Sequence, residues 1–177
     1  MSELNERIAK VLEIVQEREL SLGEPLTISA ISEFEKKHGV VLPPDYREFL
    51  TRVGNGGDGP AYYGLAVLGE VANDMHPDQK SVWSGLGKVA QPFPFTQPWI
   101  WELDEDSSQG SESDVECGNV YLGNDGCGQY WHLIVTGAER GNVWQLTGEG
   151  IQPTAPRRCF LKWYEDWLKG VTDWWAE

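Results

Sequence analysis

Apolar residues near the start of the chain recur at steps of three and four. Leu4, Ile8, Val11, Leu12 and Val15 make one stripe on a helical surface, which predicts a helix over about residues 2–18. Residues 20–25, ending in a proline, interrupt it. A second helix is expected to follow, with Ser29 as its N-cap, Ile31 and Phe34 turned inward, and Gly39 as a left-handed C-cap. Pro43 and Pro44 cannot continue a helix, but the second of them can open one. Tyr46, Phe49, Leu50 and Val53 supply the apolar face of that third helix. Asp45 places negative charge at its N-terminal end, where the helix dipole favours it.

After the sharp Gly- and Asn-rich loop over residues 54–60 the period shortens. Residues 62–68, 99–103, 120–122, 130–135 and 143–146 read as short extended pieces. The last three are separated by glycine-rich turns, the signature of an antiparallel meander. Residues 130–135 are apolar on both alternating sets except at His132, so that strand is expected to be covered on both faces. Residues 71–88 follow no single period; Pro77 opposes a continuous helix there and allows a short one after it. Pro92, Pro94 and Pro98 stiffen an extended segment rich in aromatics. Residues 104–116 are acidic, contain Ser and Gly, hold no large apolar residue before Val115, and are expected to form a mobile loop. Near the end, Phe160, Trp163, Tyr164, Trp167, Leu168 and Val171 return to helical spacing, and Trp174 and Trp175 extend that aromatic face. There is no internal repeat and no interdomain linker, so residues 1–177 read as one domain, with residues 1–22 its least diagnostic part.

Charge changes the picture more than length does. The chain carries 28 acidic and 14 basic residues, a net charge of −14. Such a surface repels phosphates, which argues against nucleic acid and against anionic membranes. No segment resembles a secretory signal or an apolar span. Cys117, Cys127 and Cys159 are odd in number and fit no common zinc spacing, which suits reduced thiols in the cytoplasm. The negative charge is also concentrated. Between Lys88 and Arg140 there is no basic residue, while Glu102, Asp104, Glu105, Asp106, Glu112, Asp114, Glu116, Asp125 and Glu139 all fall there. Trp99, Trp101, Tyr121, Tyr130 and Trp131 are threaded among them. An acidic and aromatic surface suits a basic partner, because charge steers the encounter and aromatic area holds it.

Several stretches, taken in order, resemble the SUKH superfamily, in particular its large bacterial branch related to a fungal regulator of cell-wall synthesis. They are "ISEFEKKHGVVLPPDYREFL" followed by "NGG", then "YYGL", "PFPFTQPWIWE", "VYLGNDGCGQYWHLIVTGAERGNVW" and the terminal "FLKWYEDWL". The resemblance implies an α+β fold in which helices pack on a curved, mostly antiparallel sheet, with no catalytic centre and no cofactor. Bacterial members look like intracellular immunity proteins that neutralise polymorphic toxins by binding them; other relatives are regulatory scaffolds.

The motif "GNDGCGQYWH" invites a catalytic reading, with Cys127 as nucleophile, His132 as base and Asp125 as orienter. A glycine turn needs small residues in any case, and no basic residue flanks Cys127 to activate it. His38, His76 and His132 are far apart in sequence, and His38 sits at a helix C-terminus, where positive charge is favoured. The loop over residues 54–59 lacks the lysine and hydroxyl of a phosphate cradle. The expected binding residues are Trp99, Trp101, Glu102, Asp104, Glu105, Asp106, Glu112, Asp114 and Glu116. Trp99 and Trp101 should share one side of an alternating strand; if both are buried, only the carboxylates remain for binding. Two readings follow. In the first the protein is a stoichiometric inhibitor, monomeric or weakly dimeric, that occludes a toxin domain such as a cationic nuclease. In the second it is a regulatory scaffold for an endogenous protein.

Overall fold

The computed structural model describes residues 2–71, 86–103 and 109–176. Among these, four helices and a five-stranded antiparallel sheet form the α+β architecture that the resemblance implied. None of the helices is long and apolar enough to cross a membrane. The short helix expected after Pro77 lies outside the described residues.

Helix α1 spans Glu3–Glu17 and is capped by Ser2, whose hydroxyl accepts from the Asn5 amide. Its stripe buries Ile8, Val11 and Val15. Helix α2 spans Ile28–His38, and its N-cap is Thr27 rather than Ser29. Thr27 Oγ1 accepts from the Ala30 amide at 3.1 Å. Starting the helix there puts Leu26 just before the cap and Ile31 in the next turn, and both pack into the same core, the arrangement of a hydrophobic staple. Gly39 ends α2 in the left-handed region, φ 67°, as its missing side chain permits. His38 does not gain from the helix end. Burial against the Phe34 ring, and then the charge of Lys37, lower its pKa.

Helix α3 spans Pro44–Arg52, and α4 spans Phe160–Leu168. The two are locked by Asp45. Its carboxylate accepts from the Leu161 amide at 3.0 Å and so caps α4, whose own N-cap residue, Cys159, supplies no side-chain bond. Asp45 is thus placed at two helix N-termini at once, both favourable for a negative charge. Arg7 of α1 clamps Glu165 of α4 through two hydrogen bonds of 2.9 and 2.8 Å, a bidentate geometry.

The strands are β1 (Trp99–Ile100), β2 (Asn119–Gly126), β3 (Gln129–Ile134), β4 (Val143–Leu146) and β5 (Gly150–Pro153), in the spatial order β1-β5-β4-β3-β2. Every pairing is antiparallel. Residues 62–68, expected as a strand, make no ladder of their own. Gly64 turns the chain at φ 87°, and the segment reaches β2 through the Tyr63 and Ala66 amides, which donate to Asn124 O and Leu122 O, and through the Tyr62 amide, which donates to the Asp125 side chain. Strand β1 is shorter than expected, and β5 was not expected at all.

Side chains alternate across the sheet, and both faces are covered. On one face Val120, Leu122, Trp131, Leu133 and Val143 join the helices in the larger core. On the other, Tyr121, Tyr130, Ile134, Trp144 and Ile151 pack with Phe93, Phe95, Trp99 and Val115. The second face is therefore sealed by the proline-rich segment. That segment is pinned by the Phe93 amide donating to Thr136 Oγ1 (3.0 Å) and by Thr136 Oγ1 donating to Gln91 O (2.8 Å).

His132 sits in β3 on this second face, beside Tyr121, and is fully buried. Burial lowers its pKa from 6.5 to about 3. The unfolded chain therefore takes up a proton between those values while the folded chain does not, so stability is lost as pH falls through that window. The expected loss from this residue is about 2 kcal/mol between pH 7 and pH 5. Urea titrations at the two pH values should show it, and His132→Gln should shrink the difference.

Candidate functional site

The acidic interval divides into carboxylates that the fold uses and carboxylates that it leaves to solvent. Glu116 is 3% exposed and pairs with Lys88 at 2.9 Å, a contact that raises the lysine's pKa. Asp114 closes a short 3-10 turn (Glu112–Asp114) by accepting from both the amide and the hydroxyl of Ser111, at 2.8 and 2.9 Å. Glu139 is buried; it accepts from Arg157 at 2.9 Å and from the indole of Trp144 at 3.2 Å. The run without basic residues thus draws its counter-charges from Lys88 at its edge and from Arg157, well beyond it in sequence. Glu102 and Glu112 are exposed. Asp104, Glu105 and Asp106 lie outside the described residues.

The two tryptophans share a side, as strand alternation requires, and touch at 5.0 Å between ring centroids. Trp99 is sunk in the second core at 3% exposure. Trp101 is half-buried against that core, and its indole donates to Gly148 O at 2.7 Å. Trp99 and Glu116 therefore face the interior. What the surface offers here is Glu102 and the rim of Trp101, beside Ile100 and Leu103, which are 41% and 79% exposed; Glu112 is exposed on the short turn.

The glycine motif forms the β2–β3 hairpin. Gly126 pairs with Gln129, leaving Cys127 and Gly128 as a two-residue turn with φ 52° and 75°. Two positive φ values match the twist of the flanking strands, the reason such turns favour glycine. Cys127 is exposed at the tip. Asp125 turns to the helix side of the sheet, where its two oxygens accept from the Tyr62 amide (2.7 Å) and from Trp131 Nε1 (2.8 Å). His132 follows Trp131 in β3 and so points to the opposite face. The fold separates the three residues that a nucleophile, base and orienter would need to bring together. Cys117 and Cys159 are free thiols whose pKa is raised, in each case chiefly by burial. Among the described residues, no three His, Cys, Asp or Glu side chains gather as a metal cluster would require.

A groove of about 640 Å³ opens on the helix side, at the hairpin end of the sheet. Its walls come from the loop after α3, from Asp125, Gln129 and Trp131 of the hairpin, from Gln145, and from the end of α4 and the tail that follows it. Trp131 is the hub. Its ring lies nearly parallel to that of Trp175 (11°, 6.0 Å) and also meets Trp163 and Trp174. Beside the groove Tyr62 and Tyr63, 79% and 69% exposed, stand edge to face. Sequence reasoning placed Trp131 in a strand and Trp174 and Trp175 on a helix face. It did not bring them together, because their meeting depends on how the tail folds back over the hairpin.

Residues 25–164 fit the model of the SMI1 / KNR4 family (SUKH-1). Neither a curated protein nor a solved structure matched the chain.

Proposed function

The chain belongs to the SMI1 / KNR4 family (SUKH-1), and on that premise we propose that it is a non-catalytic immunity protein that neutralises a bacterial toxin by binding it. The family implies protein–protein interaction in general. The surface we assign to the toxin is the rim of Trp101 with Glu102, Glu112 and the adjoining Asp104, Glu105 and Asp106. The observation that carries this reading is the exposed Glu102 flanked by exposed Ile100 and Leu103, with Glu112 also left to solvent and Lys88 already committed to Glu116. Acidic groups would draw in a cationic toxin domain, a basic nuclease being the favoured case, by mimicking its substrate's charge. The apolar residues would then slow its release.

The test is kinetic. Replacing Asp104, Glu105 and Asp106 together with serine is expected to slow association with the cognate toxin roughly tenfold at low salt, and to flatten the salt dependence of that rate. Dissociation should change little. Stopped-flow rates that are unchanged and insensitive to salt would contradict the reading. The alternative, a scaffold for an endogenous protein, is favoured if pull-downs return a housekeeping protein and no product of a neighbouring toxin gene.

A further inference from the structure

Among the described residues, the groove around Trp131 shares none with the acidic rim, and its chemistry is specific enough to name a ligand. We propose that it receives an arginine side chain carried on an extended segment of a protein partner. Among the described residues, the groove's walls contain two carboxylates, Asp58 and Asp125, and no lysine or arginine. Asp125 is held rigid by its bonds to Tyr62 and Trp131, and each of its oxygens retains capacity for a second donor. Asp58 is exposed; one oxygen accepts from the Ser21 amide and the other is available to a donor.

Between these charges the surface is aromatic. Trp175, 38% exposed, presents its indole here and lies nearly parallel over the buried Trp131. Indole faces attract cations more strongly than other aromatic rings do. Guanidinium fits both halves of the site: its plane stacks on a ring while its fork of N–H groups reaches a carboxylate. The same tail already carries one such contact, with the Arg158 guanidinium 5.4 Å from the Trp174 ring centroid. Arg158 itself is buried against Asp166 and does not line the groove. A volume of about 640 Å³ exceeds one side chain and accommodates the backbone on either side of it, within the usual range for ligand sites.

The probe is acetyl-Ala-Arg-Ala-amide, with its citrulline counterpart, neutral and nearly identical in shape, as control. Both are titrated into the full chain while the indole N–H resonances are followed by NMR. The arginine peptide is expected to shift the Trp131 and Trp175 resonances saturably at millimolar concentration, and the citrulline peptide is expected to leave them in place. Trp175→Ala should abolish the binding. Gln129→Lys, which adds a positive charge at an exposed position in the wall, should weaken it roughly tenfold. The serine variant of the acidic rim should bind the peptide unchanged, which keeps the two sites distinguishable. Equal binding of the citrulline peptide, indifference to Trp175→Ala, or no saturable shift would overturn the assignment.

Discussion

Exchanging Asp166 for alanine is expected to destabilise the protein by about 3–5 kcal/mol, the usual cost of stripping one partner from a buried ion pair. Asp166 is 6% exposed and Arg158 is 7% exposed, and they meet at 2.8 Å. Burial alone would raise the Asp166 pKa, but hydrogen bonds from Lys162 and Arg158 outweigh it and hold the carboxyl below its ordinary value. Its stabilising effect is therefore present above the unfolded pKa and fades as pH falls through the folded one. Arg158 also donates to Pro156 O at 3.1 Å and Trp174 O at 3.4 Å, so an orphaned guanidinium would loosen the tail as well as the helix. Urea denaturation should reveal a lower midpoint in Asp166→Ala. The double variant Arg158→Met, Asp166→Leu, which leaves no buried charge, should recover much of the loss. A single alanine variant as stable as the parent would show that the pair is not buried in solution.

Trp131→Ala should be comparably damaging, by about 3–5 kcal/mol. Trp131 is fully buried and joins two parts of the molecule. Toward the core it meets Trp163 at 5.3 Å, and toward the groove it holds Asp125 and stacks on Trp175. Truncation therefore opens a large cavity and also frees a carboxylate and the tail. Trp131→Phe fills most of the space but cannot donate to Asp125, so it should cost less and still mobilise the hairpin. Thermal unfolding of the two variants, with hydrogen exchange at residues 124–130, separates the packing loss from the loss of the bond.

The helices were legible because a stripe at three- and four-residue spacing leaves little choice of face. What failed in α2 was its start: Ser29 and Thr27 are both good caps, and the choice between them was made by Leu26 meeting the core. Strand β3 was legible from a run that is apolar in both registers. Strand β5 was hidden by its own ends, Gly150 and Pro153, residue types that usually mark turns. Gly150 is needed because a side chain there would come within 2.1 Å of Trp99 O, a contact created by a strand fifty residues away.

The acidic residues show the limit more sharply. Glu112, Asp114 and Glu116 look equivalent in a sequence, yet one is exposed, one bonds to Ser111 and one is buried against Lys88. Partnership is a property of the folded chain, and local composition cannot report it. The groove is harder still, since its walls come from four separate stretches with no shared motif.

The rim of the sheet bears on how this protein can be approached. Along β2 the outward amides and carbonyls are partly taken by Tyr63 and Ala66, and the ladder is broken by two register shifts. The opposite margin, β1, offers two residues before the chain turns away with Trp101 bonded to Glu149 O. Among the described residues, neither margin presents a long straight template that a foreign polypeptide could extend by backbone pairing. Such margins favour recognition through side chains over strand addition, and a surface read by side chains can change specificity by point substitution while its framework stays the same.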